Sequence, residues 1–224
     1  MNYLALIFDM DGTLVDNMAY HRTALEETMR EAGVMLPANM NEFHRSLYGK
    51  KTNEVFRALL GPRASDAEVA FWSDRKEALY REGYIRLRKP VPGLQPLLEF
   101  ASEMDIPMAV ATAAPPDNVR FILDGIGLRH YFKRVVSGQD VMRGKPHPDL
   151  YLKAAQSLGV GQSGCLVFED ALNGVEAAGR AGMDVVLVST SHDAREVARL
   201  PQVQYVIPDF TALNIKRLFG VSRT

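Results

Sequence analysis

A chain of 224 residues, 47% hydrophobic and 24% charged, has room for one large α/β domain or for a core with a smaller companion. With 26 basic and 27 acidic residues its net charge is −1, so nothing draws it toward nucleic acid or an anionic membrane surface. One cysteine, Cys165, excludes an intrachain disulfide and reads as a small buried residue, which suits a reducing, cytoplasmic setting.

The chain opens into an apolar run, Tyr3–Phe8, with the length of a buried strand. No basic leader precedes it and no apolar run approaches about 18 residues, so secretion and membrane insertion are disfavoured. From about Asn17 to Pro90 only helical periodicities occur: Tyr20–Ala32, Met40–Leu47, Asn53–Leu60 and Asp66–Glu82. Gly33, Pro37, Gly49 and the Gly61-Pro62 pair punctuate them. This reads as an all-helical cap, residues 17–90, inserted after the first strand, with Pro90, Pro92 and Gly93 at its second boundary. Strand-like runs then follow at Met108–Ala111, Val135–Ser137, Cys165–Phe168 and Val185–Val188, with a weaker one at Tyr205–Ile207. Between them, Val119, Ile122, Leu123 and Ile126 share one helical face, and so do Tyr151, Ala154, Ala155 and Leu158; a last helix is expected over Ala212–Phe219. Such alternation predicts a doubly wound, mostly parallel sheet built from residues 1–16 and 91–224. No exposed seam marks an oligomer, so a monomer is the default.

Chemistry concentrates where strands end. Asp9 and Asp11 follow the first strand in Phe8-Asp9-Met10-Asp11-Gly12-Thr13. Two like charges at about 4 Å repel by roughly 4 kcal/mol at an effective dielectric of 20, so such a pair calls for a cation or for chemistry. Thr112 follows the Met108–Ala111 run, Lys145 lies in Arg143-Gly144-Lys145-Pro146-His147-Pro148, and Glu169-Asp170 close the Cys165–Phe168 run. In an open parallel sheet the crevice beyond the carboxyl ends of the strands gathers all four pieces. Simpler readings exist for each alone: an ordinary Asp11-Gly12 turn, Asp170 as a helix N-cap, a solvated Lys145. His147 fits a loop with no role, and Asn173-Gly174 fits local helix-start geometry.

These motifs, in this order over nearly the whole chain, resemble the haloacid dehalogenase superfamily, in the branch of β-phosphoglucomutase and capped small phosphatases. The resemblance implies Asp9 as nucleophile forming an aspartyl-phosphate, Asp11 as general acid and base, Thr112 on a phosphoryl oxygen, and Lys145 screening the nucleophile. An aspartate at position 11 sets it apart from the dehalogenases and P-type ATPases of the superfamily. Magnesium would sit on the Asp9 carboxylate, the Asp11 carbonyl and Asp170, with Glu169 ligating or close by. At Ala113 and Ala114, where relatives often carry a polar residue or glycine, only backbone amides remain.

Cap residues would set specificity. His21 shares a stripe with Leu25, Thr28, Met29 and Ala32, and Lys76 is centred in the apolar stripe Val69, Trp72, Leu79 and Tyr80. A lysine there must snorkel, pair or point into a cleft. Both contexts resemble the substrate-facing histidine and lysine of the mutase. Thr52, beside Lys50 and Lys51, stands where the mutase has an arginine, which weakens a sugar bisphosphate intermediate. The expected activity is therefore magnesium-dependent hydrolysis of a small phosphorylated metabolite, such as a sugar phosphate. β-Phosphoglucomutase, an inorganic pyrophosphatase and a non-catalytic binding scaffold are the alternatives.

Overall fold

In the computed structural model, residues 3–191, 197 and 199–219 are described; the outermost residues of the expected core segments, 1–2 and 220–224, lie outside them. Six strands form one sheet in the order β3-β2-β1-β4-β5-β6, and every neighbouring pair is parallel. They are β1 (Ala5–Phe8), β2 (Met108–Ala111), β3 (Arg134–Val136), β4 (Cys165–Glu169), β5 (Asp184–Val188) and β6 (Val203–Ile207).

Alternation along the strands divides the core. Leu6, Phe8, Val110, Leu166 and Phe168 pack on one face with Leu94, Leu97 and Phe210. The Phe8 and Phe168 rings stack at 4.6 Å, 6° from parallel. The opposite face carries Ala5, Ile7, Ala109, Ala111 and Val167 against Ala154, Ala155, Ala177 and Ala178. Small residues there let α7 (Asp149–Leu158) and α8 (Leu172–Arg180) approach the sheet closely. Helices α5 (Leu94–Glu103) and α6 (Pro116–Gly125) supply the larger side chains of the first face.

Between β1 and α5 lie four helices and no strand: α1 (Met18–Glu31), α2 (Met40–Leu47), α3 (Thr52–Leu60) and α4 (Asp66–Tyr84). They enclose a small apolar cluster of their own, Leu25, Met29, Val55, Phe56 and Val69. Ser65 accepts from the Glu68 amide and Glu68 returns a bond to the Ser65 amide, which starts α4 sharply. None of the helices among the described residues is long and apolar enough to cross a membrane.

The sequence expectations differ from the structure mostly at element ends. Tyr3 and Leu4 precede β1: the Tyr3 hydroxyl donates to Asp184 at 3.0 Å and Leu4 is exposed. The helix expected over Ala212–Phe219 is broken, because Asp209 caps a short 3-10 turn at Phe210–Ala212 and the α-helix spans only Ile215–Leu218. Asp170 is not the N-cap of α8; Ala171 holds that position without a side-chain bond.

Candidate active site

Sheet order brings the candidate residues together. β1 lies between β2 and β4, in register Phe8↔Val110 and Phe8↔Phe168, so the chain segments leaving the three strands emerge side by side. Asp9 leaves β1, Thr112 leaves β2, and Glu169 with Asp170 ends β4. All four are buried.

Lys145 arrives from the loop before α7 and is 1% exposed, so it is not a solvated lysine. Its Nζ donates to Asp9 Oδ1 and to Glu169 Oε1, each at 2.5 Å. The whole Glu169 carboxylate is engaged within the protein. Oε1 also accepts from the Tyr151 hydroxyl at 2.9 Å, and Oε2 accepts from the Asp170 and Ala171 amides at 2.7 Å. Thr13 donates to Asp170 Oδ1 at 3.3 Å. Thr112 Oγ1 accepts the Ala114 amide at 3.1 Å and so shapes the turn into α6, where Ala113 borders the same cavity.

Two glycines permit this packing. Gly12 sits at φ +88, and a Cβ there would lie 2.1 Å from Asp170 Oδ2. A Cβ on Gly174 would fall 1.7 Å from Glu169 Oε1. The Asn173-Gly174 pair is thus more than helix-start geometry. Gly174 makes room for Glu169, while the Asn173 side chain donates to the Tyr48 carbonyl at 2.8 Å, across to the helical insertion.

Asp11 faces that insertion. Its Oδ1 accepts from Asn17 Nδ2 at 2.6 Å; Asn17 also donates to the Tyr80 hydroxyl at 2.6 Å and accepts the Gly12 amide at 3.1 Å. Asn17, fully buried, thereby orients both the acid and the turn that carries it. His21 stacks on Tyr80 with centroids 3.7 Å apart. Its Nδ1 lies 2.7 Å from Lys76 Nζ, and an ammonium only donates, so the ring proton sits on Nε2, 3.4 Å from Asp11 Oδ1. Lys76 does not snorkel: it is 8% exposed and pairs with Glu77 at 3.0 Å. Glu77 Oε1 also accepts the Thr52 hydroxyl, and Oε2 accepts Asn118 Nδ2 at 2.6 Å. His21, Thr52, Lys76, Glu77 and Asn118 line one cavity with Asp9, Asp11 and Asp170.

The electrostatics are lopsided. Burial lifts the Asp9 carboxyl to about 7, with Glu169 adding to the rise and Lys145 opposing it. Burial, Glu169 and Asp9 together push Asp170 well above the usual carboxylate range. Burial works against the Lys145 charge, but Asp9 and Glu169 outweigh it and hold the ammonium above its ordinary pKa. Three carboxylates against one ammonium leave the pocket short of positive charge, and oxygen atoms of Asp9, Glu169 and Asp170 lie within 4.8 Å of one another. Closely set hard oxygen donors with excess negative charge fit a divalent cation such as magnesium.

Sequence reasoning missed Asn17, Glu77, Asn118 and Tyr151. Tyr151 falls on an apolar helical face, and only its hydroxyl reaches Glu169. Glu77 and Asn118 meet across 41 residues, for which local pattern holds no signal.

A family model described as haloacid dehalogenase-like hydrolase matches residues 6–188. The fructose-1-phosphate phosphatase YqaB of Escherichia coli (strain K12) is 34% identical over 184 residues, 82% of this chain and 95% of that protein. A phosphorylated carbohydrates phosphatase of Thermotoga maritima is 29% identical over 92% of this chain and 94% of its own length. In fold, the β-phosphoglucomutase structure from Clostridium difficile superposes with a TM-score of 0.84, covering 97% of both chains at 24% identity. The chain belongs to the haloacid dehalogenase-like hydrolase family. Its enzyme class is that of the family's phosphatases.

Proposed function

We propose that this chain hydrolyses monoesters of phosphorylated sugars through an aspartyl-phosphate on Asp9. One observation carries the reading: Asp9 is held by Lys145 at 2.5 Å at the end of β1, in a cavity that Asp11 also borders. The substrate's phosphoryl group enters toward Thr112 and the amides at the start of α6, where a helix N-terminus favours an anion. The Asp9 carboxylate attacks phosphorus, and the bond to the ester oxygen breaks. Asn17 and His21 occupy Asp11 Oδ1, so Oδ2 carries the proton delivered to the leaving oxygen. The same carboxylate then takes a proton from water, which attacks the aspartyl-phosphate and releases inorganic phosphate.

A magnesium ion would be held by the Asp9 and Asp170 carboxylates and the Asp11 carbonyl, and when bound it supplies charge neutralisation at the phosphoryl oxygens. Glu169, with both oxygens engaged, positions Lys145 and the 170 turn and is not a direct ligand. The similarity to enzymes named for fructose 1-phosphate and phosphorylated carbohydrates supports a sugar phosphate as substrate.

Phosphate release from a metabolite-phosphate panel with magnesium tests this reading, and acid quenching during turnover should leave a phosphorylated Asp9 peptide. β-Glucose 1-phosphate separates hydrolysis from mutase chemistry, because glucose 6-phosphate formed without phosphate release would favour the mutase. Pyrophosphate in the same panel tests the pyrophosphatase. No turnover on any ester, including p-nitrophenyl phosphate, would leave the binding scaffold.

A further inference from the structure

Resting on the phosphatase reading, the geometry points to Glu77 as a specificity-determining residue. Its carboxylate, set among Thr52, Lys76 and Asn118, selects substrates that bring hydroxyl groups to this wall and rejects those that bring a second phosphoryl group. Glu77 is 5% exposed and lines the cavity shared with Asp9 and Asp11, separated from Asp11 by His21 and Lys76.

A count of donors and acceptors defines what this wall can hold. A carboxylate accepts about four hydrogen bonds. Glu77 accepts three, from Thr52 and Lys76 on Oε1 and from Asn118 on Oε2, which leaves one place on Oε2. Thr52 spends its proton on Glu77 and offers lone pairs only. Lys76 gives protons to His21 and Glu77 and keeps a third. Asn118 Oδ1 is taken by Arg81 at 2.7 Å. With the second Asn118 Nδ2 proton also unspent, the wall presents acceptors beside two donors, the complement of neighbouring sugar hydroxyls, each of which gives a proton and takes one.

A phosphoryl dianion takes protons and gives none. Placed here it would meet the Thr52 lone pairs and an anion that stays ionised, because the upward push of burial is outweighed by Lys76, His21 and the Thr52 hydrogen bond together, which hold the Glu77 carboxyl down at about 2. A phosphoryl group here would find only the spare Lys76 and Asn118 protons, and would share the one cation with the Glu77 anion beside it in a buried site. Two other cations, Arg22 and Lys50, border the cavity outside this set of bonds. Arg22 donates to the Tyr48 hydroxyl at 2.8 Å, and Lys50 is exposed.

Fructose 1-phosphate and fructose 1,6-bisphosphate differ only by the second phosphoryl group, and p-nitrophenyl phosphate has no hydroxyls to read. Wild-type enzyme is expected to show kcat/KM at least about tenfold higher for the monophosphate than for the bisphosphate. In Glu77→Gln, which keeps the shape and removes the charge, that ratio should fall toward one. The loss on fructose 1-phosphate should also exceed the loss on the aryl ester. Equal wild-type rates on the two fructose esters would overturn the proposal without any variant, as would an unchanged ratio in Glu77→Gln. If p-nitrophenyl phosphate is hydrolysed in either case, only the role of Glu77 falls. Absence of turnover on all three esters removes the phosphatase reading, and this one with it.

Discussion

Asp9 and Asp11 stand two residues apart yet meet different surroundings. Asp9 is buried against Lys145, while Asp11 is half-buried and hydrogen-bonded by Asn17 toward the helical insertion. That contrast suits one carboxylate to attack and the other to carry protons. Asp9→Asn should abolish steady-state phosphate release, and retention of a tenth of the wild-type rate would rule out a nucleophilic role. Asp11→Asn should slow turnover by roughly 10²–10⁴-fold, the usual range for positioned proton transfer. A normal rate would remove that role. Gly174→Ala tests the packing behind Lys145. The added methyl would overlap Glu169 Oε1, so the carboxylate must leave Lys145 or α8 must shift. Loss of both activity and melting temperature is expected, by the equivalent of about 1–3 kcal/mol for an overpacked interior; an unchanged melting curve with full activity would show that the contact relaxes freely.

At the level of elements, the start of α3 is tied to the loop that carries Lys145. Glu54 Oε2 accepts the Lys51 amide at 3.1 Å across the first turn of α3, and Oε1 accepts the Gly144 amide at 3.0 Å. Nearby, the Lys145 amide donates to the Gly49 carbonyl at 3.2 Å, and Lys51 Nζ donates to the Val141 and Met142 carbonyls at 3.1 Å. One carboxylate therefore both caps a helix of the insertion and holds the loop that carries Lys145 against it. Glu54→Ala should lower the melting point through the lost cap, worth about 0.5–2 kcal/mol, and should also reduce kcat/KM. Two charge-assisted bonds to amides suggest a loss of roughly five- to a hundredfold. A lower melting point with kcat/KM intact would make Glu54 a helix cap alone. The strands and helices that frame these contacts were legible in the chain because burial on two faces leaves continuous apolar runs, and one-sided burial leaves a 3.6-residue stripe. The motif residues were legible because each follows a strand. Glu54, Glu77 and Asn118 were not, since their partners are set by how the insertion docks on the core, and no local period records that. The edges at β3 and β6 and the broken final helix were misjudged by a few residues for a related reason: at the rim, pairing and capping decide where an element stops.

On the scale of the molecule, a sheet centred on β1 collects buried acid from distant parts of the chain, and folding has to accommodate it. Burial raises the folded pKa of Asp9 from 3.8 to about 7, so between those values the folded state keeps a proton that the unfolded chain has released. The resulting stabilisation of the metal-free protein is complete below about pH 4 and is lost as pH rises through about 7. A divalent ion reverses the trend, because it binds the ionised carboxylates and competes with the proton. Thermal melts with magnesium and with chelator, at pH 5 and at pH 7.5, should separate these states. A hundredfold excess over Kd contributes about 2.7 kcal/mol, which raises Tm by roughly 5–10 °C for a chain of this size. That shift is expected at pH 7.5 and should shrink at pH 5. Asp170→Asn should abolish it at both, while leaving the metal-free protein as stable as wild type or more so at pH 7.5, since one buried like charge is gone. A magnesium shift of equal size at the two pH values, or one that survives Asp170→Asn, would mean that the ion binds elsewhere and that the carboxylate cluster at the end of β1 and β4 is held in check by protons and Lys145 alone.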